Sequence, residues 1–395
     1  MSTAPGVRRL DGSGSPGDVF QLLREGVATS RSALARATGL APSTISLRVE
    51  QLRRQGLVVE DGDEGSRGGR RARRLHVKAD AGLVAAADVG AHHVRIGVAD
   101  LLGHRLTTRE LPLDVAQGPD VVLPGLWRAV LEVLGGAGLD PSRLLGLGLG
   151  FPAPIDATTG RVVLPSGMPG WHGTDVLTAF GALTDVPVFV ENDANLVAIA
   201  AHAAAGPGVE HLLAVKLGTR IGCGIVSAGR LHRGAGGAAG EVSHVPVAGT
   251  AVISCSCSVQ NCLESVASGG ALVRRLQLEG HPVQAPADVT ALAAHGDVHV
   301  ITTLRDAGNL VGEVLAGVVN FFNPKVVTLS GAMSAAEPFV AAVRGTLFQR
   351  CLPLTAGVLE VQVTTDGADA GLSGALRLVL ENVLSADRID GLIHP

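Results

Sequence analysis

His244 is followed by Cys255, Cys257 and Cys262, so one imidazole and three thiols fall within a single short stretch. These are the four ligands of a closed tetrahedral zinc site. Thiolates and imidazole favour zinc over hard cations, and a full ligand set leaves no position for a reacting water. The expectation is one structural zinc per chain, in a loop spanning 244–262. Five cysteines in 395 residues cannot staple a disulfide scaffold, so the cluster reads as metal binding in a reducing compartment. Cys223 and Cys351 stand outside the cluster and read as small core residues.

The rest of the chain is bounded by length and charge. A chain of 395 residues is too long for one core. Residues 1–78 hold 14 Lys/Arg against 8 Asp/Glu, whereas the remainder holds 18 against 28. A basic head on an acidic body suggests nucleic-acid binding by the head. With 8 Phe, 2 Trp and no Tyr, stacking on single-stranded bases is poorly supported. A hydrophobic content of 46% excludes wholesale disorder. Neither a signal peptide nor an eighteen-residue apolar run is evident, which predicts a soluble, cytoplasmic protein without membrane contact.

Within the head, residues 1–17 are rich in Gly, Ser and Pro and read as a disordered tail. The spacing predicts helices from Asp18 to about Glu25, from the cap Ser30 to Gly39, and from Pro42 to about Gln55. In the third, Ile45, Val49 and Leu52 face inward, leaving Ser43, Thr44, Ser46, Leu47, Arg48 and Gln51 outward. Two short helices joined through Gly39 form the helix-turn-helix pattern, whose second member reads the major groove. Leu57–Val59 and Leu75–Val77 then pair around a loop carrying Arg67, Arg70, Arg71, Arg73 and Arg74. Arginines at that tip suit phosphate or minor-groove contact. The expected unit is a winged helix-turn-helix over 18–78 that binds double-stranded operator DNA.

From residue 79 the pattern changes to apolar strands, glycine-rich turns and helices. Strands are expected over 83–88, 94–100, 144–150, 186–190, 212–217 and 224–226, with helices over 121–134, 194–204, 307–320 and 371–380. Such interspersion implies an α/β architecture, and the break near 193–208 divides it into two lobes with a cleft between. Asp88-Val89-Gly90-Ala91 and Gly218–Gly224 are hairpins able to present backbone N–H groups to phosphate, although such turns usually serve turn geometry alone. Glu191-Asn192-Asp193-Ala194-Asn195 follows a strand, where polar residues either line a ligand cleft or cap the next helix.

Taken in order, these segments resemble the ROK family of repressors, open reading frames and sugar kinases, in its branch with an N-terminal winged helix. The resemblance runs from Asp18 to about Leu380. It is carried by Asp88-Val89-Gly90, Gly148–Asp156, Pro169-Gly170-Trp171, Glu191–Asn195, Gly218–Gly224, Gly240–His244 and Cys255-x-Cys-x4-Cys-Leu-Glu. It implies a two-lobed, actin-like ATPase (ribonuclease H-like) fold over 79–395, with a sugar between the lobes. By the same resemblance Asp193 matches the kinases' general base. Asn192, Asp193, Glu241, His244 and Glu264 match the sugar contacts, with His244 serving zinc as well.

The chain also departs from the family pattern. His92-His93 replace the usual Thr and Lys of the first hairpin, and Arg220 replaces the second Gly of Gly-Thr-Gly. A bulky residue there obstructs phosphate approach and would be strained at positive φ. Gly167 stands where many members have Asn, and Ser258 and Asn261 where they commonly have glycines. The resulting expectation is a sugar-responsive repressor, a homodimer or dimer of dimers, without ATP binding or catalysis. A sugar kinase, and a regulator with a vestigial pocket, are the alternatives.

Overall fold

A computed structural model of the chain describes residues 14–63, 73–156, 158–163, 168–247, 253–255, 257–364 and 366–393. The head comprises α1 (Pro16–Arg24), α2 (Arg31–Thr38), α3 (Pro42–Arg54) and the antiparallel pair β1 (Val58–Asp63) and β2 (Arg73–Val77). The first helix begins earlier than Asp18 because Ser15 and Asp18 cap it reciprocally: Ser15 Oγ accepts from Asp18 N, and Asp18 Oδ2 accepts from Ser15 N. The expected tail over 1–17 is therefore overturned from Gly14 onward, and 1–13 lie outside the described residues. Ser30 caps α2, and Gly39 ends it in the left-handed conformation at φ 73°, which turns the chain into α3. Val19, Phe20, Leu34, Ile45, Val49, Leu52 and Leu75 are fully buried and form the head's core.

The remainder carries β3 (Leu83–Val89), β4 (His93–Ala99), β5 (Arg105–Pro112), α4 (Pro119–Gly136), β6 (Leu144–Phe151), α5 (Val176–Gly181), β7 (Val188–Asn192) and α6 (Asp193–Ala205). There follow β8 (Leu212–Leu217), β9 (Ile221–Ser227), β10 (Arg230–Leu231), α7 (Leu263–Ala267), α8 (Gly269–Leu278), α9 (Pro286–Ala294), α10 (Val298–Phe322) and β11 (Val326–Ser330). The chain closes with α11 (Glu337–Arg350), α12 (Pro353–Ala356), β12 (Glu360–Val363), α13 (Ala370–Val383) and α14 (Ala386–Ile393).

Two five-stranded sheets result, ordered β5-β4-β3-β6-β7 and β10-β9-β8-β11-β12. Each has three antiparallel strands followed by two parallel ones, so the second sheet repeats the first. The helix after each sheet's last strand, α6 and then α13, lies between the sheets, and the two pack on each other. Their close crossing requires Gly374, where a Cβ would overlap the Leu196 carbonyl. This is the mixed α/β, two-lobed actin-like arrangement that the resemblance implied, and the expected lobe division falls at α6.

Among the expected elements, β8 runs over 212–217 as read, and the others shift by a few residues. The long helix starts at Val298, capped by Asp297, rather than near Ala307. Strands β5, β11 and β12 lie in stretches to which the sequence reading assigned no element. Among the described residues no helix is long and apolar enough to cross a membrane.

Candidate functional site

The cleft is built where strand ends meet helix starts. Asn192 caps α6: its Oδ1 accepts from Ala194 N and Asn195 N at 2.9 and 3.2 Å, and its Nδ2 donates to Ala153 O. Capping thus absorbs the acceptor, leaving one amide hydrogen of Asn192 for a ligand. Asp193 opens α6, and its Oδ2 lies 2.6 Å from Lys216 Nζ on β8. Glu191 is nearly fully buried and accepts from Asn192 N, Asn195 Nδ2 and Arg233 Nε. Its role is to hold the turn that aims Asp193.

Asp88 sits opposite, at the end of β3. Gly371 at the start of α13 and Gly150 on β6 leave room for its carboxylate; a Cβ on Gly371 would overlap Oδ2. Its Oδ1 is buried without a hydrogen-bond partner. Burial raises the Asp88 pKa, Asp193 adds to the rise, and Lys216, Arg95 and His93 oppose it. Lys216 is itself desolvated, yet Asp193 and Asp88 together raise its pKa, so it remains a cation.

Glu241 opens onto the cleft. Restricted hydration raises its pKa, and the charges of Asp193 and Glu264 raise it further. Glu264 accepts from Ile221 N at 2.8 Å. Burial raises its pKa, against the opposing pull of that hydrogen bond and Arg220. Glu241 therefore feels the charges of both Asp193 and Glu264.

The phosphate hairpins differ from expectation in one respect. Among the described residues, the non-glycines at positive φ are Ala228, Ser258, Asn261 and Asn323, so Arg220 carries no backbone strain. What remains is bulk and charge. The Arg220 guanidinium acts on Glu264 and His244, on the rim of the acidic cluster. His93 lays its ring against Gly90, within about 3 Å of where a Cβ would stand. Gly222 and Gly224 serve packing: a Cβ at either would strike Ala194 of α6.

The four expected metal ligands converge. One donor atom each from His244, Cys255, Cys257 and Cys262 lies within 4.8 Å of every other. Cys257 Sγ is 3.9 Å from Cys262 Sγ, and Cys255 Sγ is 4.0 Å from His244 Nδ1. Tetrahedral zinc with ordinary bond lengths separates its donors by about 3.5–3.8 Å, so the group fits a metal ion with small adjustment. Ser258 and Asn261 hold φ of 69° and 51°, the conformation glycine favours. Asn261 supports it by accepting from Ile253 N at 2.7 Å, so the turn survives both replacements. Cys223 and Cys351 are buried away from this group, and burial pushes the Cys223 thiol up to about 12.

On the head, Ser43 is exposed, while Thr44, Ser46, Arg48 and Gln51 are half-buried on the outer side of α3. Arg48 Nη1 donates to Gln51 Oε1, and Arg48 Nε has no partner. Arg31 forks onto Glu60 at 3.0 and 3.1 Å, tying α2 to the first wing strand. Arg73 and Arg74 are exposed on the second. Arg67, Arg70 and Arg71 lie outside the described residues, as does Gly167.

The head is seated on the body's last two helices. Gln21 Nε2 donates to Leu384 O, Arg24 Nη1 to Leu380 O at 3.3 Å, and Gly17 N to Asp390 Oδ1 at 2.7 Å. Head residues such as Val19 and Leu23 share one apolar core with Leu376, Leu380, Val383 and Ile389. Thus α13 begins against Asp88 in the cleft and ends beneath the head, about 21 Å away at helical rise. Lys216, Arg233 and Asp390 were absent from the sequence-based site. Lys216 carried a signal, a charge inside an otherwise apolar strand just before Gly218; the other two carried none.

A family model described as "ROK family" matches residues 84–382. The xylose repressor of Bacillus subtilis is 28% identical over 357 residues, 90% of this chain and 92% of that one. Among solved structures, a ROK family transcriptional regulator described as a homolog of the E. coli MLC protein superposes with a TM-score of 0.79 at 23% identity. It covers 95% of this chain and 98% of its own, a likeness of fold. A ROK hexokinase from Thermus thermophilus is 30% identical with a TM-score of 0.62, over 76% of this chain and 99% of its own.

Proposed function

This chain belongs to the ROK family, and on that premise we propose that it is a sugar-responsive transcriptional repressor without kinase activity. The observation that carries this reading is the continuity of α13, from the Asp88 wall of the cleft to the seat of the winged helix. The likeness to a xylose repressor across nine-tenths of both chains supports it. In this reading residues 18–78 bind operator DNA. Ser43, Thr44, Ser46, Arg48 and Gln51 face the major groove, and Arg67, Arg70 and Arg71 reach phosphates or the minor groove. A homodimer, or a dimer of dimers, reads an inverted repeat.

The effector is a small sugar held by Asn192, Asp193, Glu241, His244 and Glu264. Its binding shifts DNA affinity to the extent that it prefers one lobe arrangement over another. His244, Cys255, Cys257 and Cys262 hold one structural zinc, which fixes the loop carrying Glu241 relative to the start of α7 carrying Glu264. Zinc there supplies cross-linking, not hydrolysis.

Two arrangements oppose phosphoryl transfer. Lys216 pairs with the Asp193 carboxylate that would have to accept a hydroxyl proton. His93 and Arg220 crowd the two hairpins that would have to receive ATP phosphates.

The test is a gel-shift titration of the chain's own promoter DNA with a panel of pentoses and hexoses, beside a coupled ATP-consumption assay. The expected result is a sugar that changes DNA affinity about tenfold, a coupling near 1.4 kcal/mol, with no ATP turnover. An affinity that no sugar moves would sink the sensing claim. Turnover abolished in Asp193→Asn would establish the kinase instead.

A further inference from the structure

We propose that Glu279, His281 and His299 form a second metal-binding site, remote from the cysteine cluster, that takes an exchangeable divalent ion of the zinc, nickel and cobalt class. One ligand atom from each lies within 4.8 Å of the others. His299 Nε2 is 2.8 Å from Glu279 Oε2, and the two imidazole rings stack with centroids 5.5 Å apart and planes within 6°. Two stacked imidazoles beside one carboxylate present a nitrogen-and-oxygen donor set that suits these metals better than calcium or magnesium.

The backbone fixes the three residues from separate anchors. Glu279 caps the end of α8, and its Oε1 accepts from Arg275 Nε at 3.1 Å, which leaves Oε2 turned to the histidines. Gly280 at φ 92° reverses the chain, and His281 N then donates to Leu276 O at 2.9 Å. His299 is in the first turn of α10, two residues after the capping residue Asp297. Asp297 accepts from Val300 N through Oδ1, and its Oδ2 is 3.7 Å from His281 Nδ1. A carboxylate near a ligating histidine is the outer support that metal sites commonly use.

An ion there replaces the His299–Glu279 hydrogen bond and draws the third donor in by about 1 Å, a movement these solvent-facing side chains can make. Three protein ligands leave the remaining positions to water, so the ion binds less firmly than in a closed four-ligand site. It would tie the end of α8 to the first turn of α10.

The experiment uses the untagged full-length chain with zinc retained in the cysteine cluster, titrated with Co2+ at pH 7.5 and pH 5.5. Cobalt does not displace zinc from thiolates under these conditions, because its affinity is lower in the divalent series. The expected result is one equivalent of bound Co2+ at pH 7.5, with d–d absorption and no sulfur charge-transfer band. Binding should be weaker at pH 5.5, because protons compete with a metal ion for its ligands. His281→Gln and His299→Gln should each weaken it more than tenfold with unchanged circular dichroism. No bound equivalent in the wild type, or binding unaltered in both variants, would overturn the proposal.

Discussion

Lys216 and Asp88 occupy the same position in the two repeated sheets. Asp88 precedes Val89, whose partner Val94 closes the β3–β4 hairpin, and Lys216 precedes Leu217, whose partner Ile221 closes the β8–β9 hairpin. The repeat therefore sets an anion and a cation at equivalent points of the two lobes. Lys216 also holds Asp193 at 2.6 Å, so one ammonium stabilises two carboxylates.

Replacing Lys216 by Met should therefore destabilise the chain. Breaking a fully buried pair costs about 3–5 kcal/mol. Partial exposure of the Lys216 side chain lowers the expectation to about 1–2 kcal/mol, a drop of a few degrees in melting temperature. The loss should shrink on going from pH 7.5 to pH 5.5, as the stranded Asp88 carboxyl, already raised by burial, takes up a proton. Calorimetry at the two pH values measures both effects.

The acidic cluster gives a pH dependence of defined sign. Glu241 and Glu264 have native pKa values raised by burial. The folded state then binds more protons than the unfolded one between the ordinary carboxylate range and those raised values. Their contribution to stability is complete below the unfolded pKa and is lost as pH rises through the folded pKa. Glu241→Gln should flatten the fall in melting temperature as pH rises above the ordinary carboxylate range, and should also abolish the sugar response.

How far these sites could be read in advance depended on how local their causes are. The metal cluster was legible because its ligands are a chemical type at short spacing, and α2 because Ser30 and Gly39 punctuate it. Strand β5 was not, because Arg105–Pro112 is an exposed edge whose charged residues hide the apolar alternation. The strain expected at Arg220 failed because the β8–β9 turn closes without a left-handed residue there. The role of α13 depends on residues hundreds of positions apart, Gly371 with Asp88 and Leu380 with Arg24, and only the assembled sheets bring them together.

The metal loop predicts its own loss. Cys262 is fully buried at the start of α7. Cys262→Ser should remove about one zinc per chain, read by elemental analysis. The melting temperature should fall by several degrees, because metal binding is coupled to folding of the loop. Sugar affinity should fall with it, through the displaced Glu264.

If residues 18–78 bind operator DNA as proposed, recognition divides between α3 and the wing. Arg48 Nη1 holds a contact to Gln51 Oε1 that an operator base edge can replace. Arg48→Ala should weaken binding to the operator by about 1–3 kcal/mol while leaving random DNA little affected. Arg74→Ala, on the exposed wing strand, should weaken both alike and reduce the salt slope by about 0.9. Fluorescence anisotropy across a salt series separates the two.

The seat of the head offers the sharpest test of coupling. Asp390 Oδ1 accepts from Gly17 N, and with the bonds of Gln21 and Arg24 it joins α1 to the chain's last helices. Asp390→Ala removes that bond and leaves the shared apolar core in place. If α13 and α14 carry the cleft's state to the head, the variant should bind operator and sugar individually within about threefold of wild type. The factor by which sugar changes operator affinity should nevertheless fall, because a coupling energy of 1–3 kcal/mol is within reach of a single bond worth about 1 kcal/mol. Titrating operator binding with and without sugar for both proteins measures that factor directly, and an unchanged factor would place the coupling elsewhere.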